Sequence, residues 1–261
     1  MSSAKQKTLV LKVGGALLEC EMGIARLMQT AASLLEQGKS LVIVHGGGCL
    51  VDKQLQLNGM VTEKREGLRI TPPEQMPIIA GALAGSANKL LQSAAKAAGM
   101  ESVGLCLGDG GLLEGQIKDE TLGAVGQVSG GNPAYLNFIL SQGWLPIISS
   151  IALDINGQLL NVNADQAATA VAKLVDGQLV LLSDVSGVLD GKGKLIPSLD
   201  AQGIADLIKL GVIDKGMKVK VEAALEVAQW MGEPVQVASW RDAEQMLALT
   251  RGGQIGTQIQ P

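Results

Sequence analysis

Aromatic side chains are scarce in this 261-residue chain: three Trp, one Tyr and one Phe, 2 % in all. So few rings exclude base-stacking platforms for RNA or single-stranded DNA, and they leave Leu, Val, Ile and Ala to fill the core. An excess of positive charge is missing too, since a net charge of −4 gives no general attraction to nucleic acid. Cys20, Cys49 and Cys106 are too few and too scattered for a disulfide scaffold or a tetrahedral zinc site. The single histidine, His45, has no second imidazole for a metal site, and a structural role is expected for it. No apolar stretch approaches the roughly 20 residues that span a bilayer. Residues 1–7 are polar and the next apolar run breaks at Gly14, unlike a secretory signal. The expectation is a cytoplasmic protein with neither nucleic acid nor membrane as partner.

The usual phosphate motifs are absent as well. No G-x-x-x-x-G-K-[ST] occurs, no G-x-G-x-x-G follows a strand, and protein-kinase signatures are missing. What is present is a regular alternation. Apolar runs of strand length at 8–13, 40–45, 102–107, 144–150, 178–183 and 234–238 alternate with helical patterns at 21–37, 48–57, 74–98, 133–142, 164–174, 201–210, 216–231 and 241–249. Several of the runs are apolar at successive positions, as in strands covered on both faces. A layered α/β fold with a mostly parallel sheet follows. Residues 151–162 read as a hairpin around Asn156-Gly157, 60–70 as a charged flap, and 112–128 as short strands separated by Gly115 and Gly123. A lobe boundary is expected at 173–178.

Five segments carry candidate chemistry. Two apolar strands end in glycine turns, Lys12-Val13-Gly14-Gly15 and His45-Gly46-Gly47-Gly48, that lead into helical patterns. Bare backbone N–H groups and a helix N-terminus suit an anion. Glycines destabilise by roughly 0.5–1 kcal/mol each where Ala would do, so close approach of a ligand is a good reason for three in a row. Asn161-Val162-Asn163-Ala164-Asp165 reads as a helix start, with Asn163 as N-cap and Asp165 favourable to the dipole, or as two amides and a carboxylate that bind a polar substrate and position a lysine. Ser183-Asp184-Val185-Ser186-Gly187-Val188-Leu189 follows an apolar strand; it is a hairpin with polar turns or a nucleotide site at a strand's carboxyl end. Lys215, Lys218 and Lys220 open a helix, where cations are disfavoured unless anions accompany them.

Together with Gly67-Leu68-Arg69, these segments resemble the amino-acid kinase family. Gly81-Ala82-Leu83-Ala84-Gly85 and Asn88-Lys89 resemble its N-acetylglutamate-phosphorylating branch. The resemblance implies an open, mostly parallel eight-stranded sheet in an αβα sandwich, with an amino-acid substrate lobe at 1–175 and a nucleotide lobe at 176–261. It implies ATP-dependent phosphorylation of the side-chain carboxylate of N-acetyl-L-glutamate, with Mg²⁺ held mainly by the nucleotide phosphates. By position, Lys12 and Lys220 would neutralise the transferring phosphoryl group, Asp165 would hold both lysines, and Gly15 and Gly47 would donate backbone N–H groups. Arg69, Asn161 and Asn163, with Gly47 and Gly48, would bind the amino-acid substrate. Residues 183–189 and Val212-Ile213-Asp214 would border the nucleotide. Lys218 stands where relatives usually have an apolar residue, and register with Gly216-Met217 favours Lys220 as the catalytic lysine. With about one turn's worth of residues before the first strand, a homodimer insensitive to arginine is expected, with the 74–98 helix as an interface element or a core helix.

Overall fold

A computed structural model of the chain describes residues 7–65, 68–213 and 215–261. Eight strands form one sheet in the order Ser198–Leu199, Thr257–Ile259, Val235–Ser239, Gln178–Ser183, Leu9–Val13, Leu41–His45, Leu145–Ser149, Ser102–Cys106. All neighbours run parallel except Val235–Ser239 against Thr257–Ile259. The six apolar runs of the sequence are six of these strands. The other two, of two and three residues, are too short to leave a periodic signal.

Strand side chains alternate between two apolar layers, because successive residues point to opposite faces. Val10, Val42, Val44, Leu179 and Leu181 pack on one face, against the helices Gly48–Leu57, Ala164–Leu174 and Lys215–Met231. Leu9, Leu11, Val13, Leu41, Ile43 and Leu182 pack on the other, against Glu21–Glu36, Asn88–Ala97 and Ala243–Thr250. A sheet buried on both sides is what the unbroken Leu/Val/Ile runs require.

Three smaller readings need correction. The 74–98 pattern is not one α-helix: a 3₁₀ turn at Pro73–Gln75 leads into α-helix at Met76–Ala80, a π-helical stretch at Gly81–Ala87, and α-helix again at Asn88–Ala97. Gly115 does not separate strands but lies inside one, Glu114–Ile117, where a Cβ would stand 2.8 Å from the Leu153 carbonyl oxygen. The first glycine turn is followed at once by a four-residue helix, Gly15–Leu18, before the Glu21–Glu36 helix begins. The 151–162 hairpin is present, Ile151–Leu153 against Leu159–Val162. The flap is the antiparallel pair Glu63–Arg65 and Leu68–Ile70.

Register decides where the loops fall. Val13 pairs with both His45 and Leu182, His45 with Ser149, and Ser183 with Ser239. The carboxyl ends of five parallel strands therefore finish level, along one edge of the sheet. In open α/β sheets that edge is where ligands bind.

Candidate active site

Both glycine turns lie on this edge and face each other. A Cβ on Gly15 would stand 3.4 Å from the Gly48 amide nitrogen, and one on Gly14 would stand 3.9 Å from Lys12 Nζ. The Lys12 ammonium thus sits over the first turn. Gly15 and Gly48 each begin a helix, so their amides have no intrahelical acceptor. The second turn is hemmed in from its other sides: a Cβ would come within 3.0 Å of Ala164 Cβ at Gly46 and within 2.9 Å of Leu83 Cδ2 at Gly47. No larger residue fits either position without moving a neighbour.

Lys12 shares the sheet face of Val10, toward the Ala164–Leu174 helix, and its Nζ lies 2.8 Å from Asp165 Oδ1. Asp165 occupies that helix's first turn, where the dipole favours a carboxylate. Asn163 caps the helix, its Oδ1 accepting the amides of Asp165 at 2.9 Å and Gln166 at 3.2 Å. The cap reading of Asn163 is therefore met, and the residue also lines a neighbouring cavity.

That cavity, of about 210 Å³, is bounded by Gly46, Gly47 and Gly48 on one side and by Arg69, Asn161 and Asn163 on the other. Leu68, Leu83, Val125 and Val162 give it an apolar wall. Its size is below the roughly 300–1,000 Å³ of pockets for drug-sized ligands, which suits a small metabolite. The Arg69 side chain is 9 % exposed. Its Nη1 lies 2.5 Å from Asp52 Oδ1 and donates to Thr62 Oγ1 at 2.9 Å, while Nη2 donates to the Gly48 carbonyl at 3.3 Å. Burial works against ionisation of Asp52, but the hydrogen bonds from Arg69 and Thr62 outweigh it and hold the carboxyl below its ordinary range. Asn161 Nδ2 donates to Thr71 Oγ1 at 3.1 Å, and Thr71 Oγ1 donates to the Arg69 carbonyl at 3.1 Å. Gly67, beside Arg69 in the motif, lies outside the described residues.

Asp52 and Thr62 were not legible as site residues. One is an acid in the middle of the Gly48–Leu57 helix, the other a threonine in a loop, and neither is special until Arg69 folds back between them.

The far side of the edge is arranged differently. Lys220 does not reach Asp165; it forms a short ion pair with Asp184, at the end of the Gln178–Ser183 strand. The expectation that Asp165 holds both lysines is met for Lys12 alone. The hydrogen bond from Lys220 is the main cause holding the Asp184 carboxyl below its usual range. Lys218 turns away, with Nζ 3.8 Å from Glu222 one helical turn on.

The 183–189 segment is both a turn and an edge loop. Ser183 Oγ accepts the Val185 amide at 3.2 Å, Gln245 Nε2 donates to the Ser186 carbonyl at 2.9 Å, and the Val188 amide donates to Thr257 Oγ1 at 2.8 Å. Gly187, at φ +128°, takes a conformation few other residues adopt. Val188 and Ile213 are buried in the core, whereas Asp184 and Leu189 are exposed. Val212 stands close to Gly191 of the same loop, 3.8 Å from where its Cβ would be. Val212 therefore meets the loop just beyond residue 189; Asp214 lies outside the described residues. Among the described residues, no cluster of three or more His, Cys, Asp or Glu side chains gathers as a metal site, and no helix is long and apolar enough to cross a membrane.

Comparison with known proteins bears on the family and the fold. The model of the Amino acid kinase family matches residues 7–239. The chain is 70 % identical over 259 residues to the acetylglutamate kinase of Shewanella oneidensis, covering 99 % of this chain and 100 % of that one. It is 68 % identical to the acetylglutamate kinase of Shewanella loihica, over 99 % of both. Among solved structures, smu.665 from Streptococcus mutans aligns with a TM-score of 0.76 at 27 % identity, covering 97 % of this chain and 98 % of that one.

Proposed function

The chain belongs to the amino acid kinase family, and from that premise we propose that it transfers the γ-phosphoryl group of ATP to the side-chain carboxylate of N-acetyl-L-glutamate. The products are N-acetyl-L-glutamyl 5-phosphate and ADP, a step of arginine biosynthesis. The observation that carries this reading is the 68–70 % identity to acetylglutamate kinases over nearly the whole chain.

The reaction joins a carboxylate oxygen to the γ-phosphorus and breaks that phosphorus's bond to the β-phosphate bridging oxygen. The carboxylate is ionised at neutral pH, so no general base is needed. Phosphoryl transfer then depends on in-line positioning and neutralisation of charge. Lys12, steadied by Asp165, and the amides of Gly15 and Gly47 are the groups assigned to the phosphoryl oxygens. Arg69 and Asn161 are assigned to the substrate's α-carboxylate, with Gly48 and Asn163 beside them. The apolar wall of Leu68, Leu83, Val125 and Val162 suits the methylene chain and acetyl methyl. Lys220 must leave Asp184 to reach the γ-phosphate, and an arriving polyphosphate supplies the stronger negative charge that draws it across. Residues 183–189 and 212–214 are assigned to the nucleotide, which brings Mg²⁺ on its phosphates.

In this reading residues 1–175 form the amino-acid lobe and 176–261 the nucleotide lobe. The protein works in the cytoplasm as a homodimer insensitive to arginine. Purified protein incubated with MgATP, N-acetyl-L-glutamate and hydroxylamine should yield the hydroxamate, and should prefer this acceptor to aspartate, glutamate and acylated aminoadipate. A preference for another carboxylate overturns the assignment. Sedimentation as a hexamer, or inhibition at modest arginine concentrations, overturns the dimer and its insensitivity.

A further inference from the structure

His45 is completely buried, yet it sits next to the glycine turn rather than in the turn's open space. Its ring nitrogens have two contacts. Nδ1 lies 2.9 Å from the carbonyl oxygen of Gly46, and Nε2 lies 3.1 Å from Asn88 Nδ2. The same Asn88 nitrogen donates to the Ile147 carbonyl at 2.8 Å. That second bond fixes which way the amide points, since the reverse orientation would set Oδ1 against the Ile147 oxygen. Asn88 Nδ2 therefore donates to His45 Nε2, and an accepting Nε2 leaves the ring proton on Nδ1. Nδ1–H must then donate to Gly46.

The acceptor matters because it belongs to a peptide unit with two ends. In a trans peptide the C=O and the following N–H point in opposite directions. The carbonyl of Gly46 and the amide of Gly47 are one such unit. We propose that His45 and Asn88 are positioning residues that lock the Gly46–Gly47 peptide, so that the Gly47 N–H is aimed at the transferring phosphoryl group. Donation into the carbonyl also polarises the peptide and strengthens its N–H as a donor.

Three further observations fit this role. Asn88 Oδ1 is buried without a hydrogen-bond partner; it rests against Gly104, where a Cβ would fall 2.0 Å away. An orphaned buried acceptor needs a reason, and holding Asn88 in its donating orientation is one. The π-helical stretch Gly81–Ala87 leads directly into Asn88 and sets Leu83 against Gly47, so it packs on the turn as well as delivering the residue that bonds His45. Such stretches are frequent at functional sites. Burial also holds the imidazole's pKa down at about 4, which keeps the ring neutral at working pH; a protonated Nε2 would confront the Asn88 donor.

The inference rests on the reading of Gly47 as a phosphoryl donor, and two measurements separate the two. With a single histidine in the sequence, ¹⁵N spectra of the untagged protein report one ring. The expected result, without substrate, is a neutral Nδ1–H tautomer whose Nε2 resonance shifts in Asn88→Leu as its donor is lost. A ring protonated on Nε2 overturns the proposal. In the kinetic arm, asparagine places an amide N–H near the Nδ1 position and glutamine near Nε2. His45→Gln should lose at least about tenfold in kcat, short of the roughly 10²–10³ that losing a preorganised donor outright costs, with little change in either KM. His45→Asn should recover most of it, both variants unfolding as cooperatively as the parent. Equal kcat in the two variants, or a loss confined to KM, overturns the proposal while wild-type turnover stands. A wild type that makes no hydroxamate overturns the functional reading, and this inference with it.

Discussion

Lys12 and Lys220 bring the same charge to the same edge of the sheet, but the molecule holds them in different ways. Lys12 is 16 % exposed, projects from a central strand, and is paired with a carboxylate in the first turn of a packed helix. Lys220 is 36 % exposed, projects from a helix, and is paired with Asp184 on a loop. Around Lys12 the groups are held in place: two glycine turns face to face, a capped helix start, and Arg69 tied to Asp52 and Thr62. Around Lys220 the groups are present but engaged elsewhere. On the proposed assignments, the amino-acid side of the site is preassembled, whereas the nucleotide side is completed by its ligand.

The widest test of that contrast removes each lysine in turn. Losing one preorganised donor to the reacting group typically costs about 10²–10³ in kcat. Lys12→Ala and Lys220→Ala should each fall by that scale or more in hydroxamate assays, and near-normal turnover in both would sink the assignment. Asp184→Asn sharpens the comparison, because Asp184 pairs with Lys220 in the structure and the proposed reaction draws Lys220 away from it. Its kcat should stay within about tenfold of the parent; a loss matching Lys220→Ala would give Asp184 a part in the chemistry itself. Arg69→Ala should act on the other half and on binding. Hydrogen bonds to charged groups are worth about 1.5–3 kcal/mol, so KM for N-acetyl-L-glutamate should rise by roughly 10–100-fold with kcat nearly held.

Much of this architecture was legible in the sequence because its signals are local. Six of the eight strands announce themselves as apolar runs, and Asn163 before Ala164 marks a helix start by its own side chain. Lys12, Gly14, Gly15 and the 46–48 turn were readable for the same reason. Partners that meet only through tertiary folding were not. Asp52 joins the candidate site only through its ion pair with Arg69, and the pairing of Asp184, a nucleotide contact by sequence, with Lys220 is set only by the fold. The π-helical stretch was hidden because small residues at 81–87 fit a regular helix equally well by pattern.

Two smaller effects complete the contrast. The buried half carries an acid liability through His45, whose folded pKa of about 4 lies below the ordinary 6.5. A depressed value means that the unfolded chain binds the proton first, so this contribution is whole above pH 6.5 and is lost as pH falls toward 4. The full swing is about 3 kcal/mol. Urea unfolding at pH 7 and pH 4.5 should show the parent losing more stability than His45→Asn, and parallel losses would remove the liability from His45. The exposed half should tolerate change where no ligand is involved. Lys218 and Glu222 form a surface pair worth about 0.3–0.5 kcal/mol, so Lys218→Ala should shift stability by no more than that and leave kcat essentially unchanged. A large loss of turnover would mean that Lys218, not Lys220, turns inward.

The most direct test of the account follows both products of one reaction. With MgATP and N-acetyl-L-glutamate under hydroxylamine, ADP and N-acetylglutamyl hydroxamate should form in equal amounts, and both should vanish together in Lys12→Ala. ADP released without hydroxamate, or hydroxamate persisting at parental rate without Lys12, would contradict it.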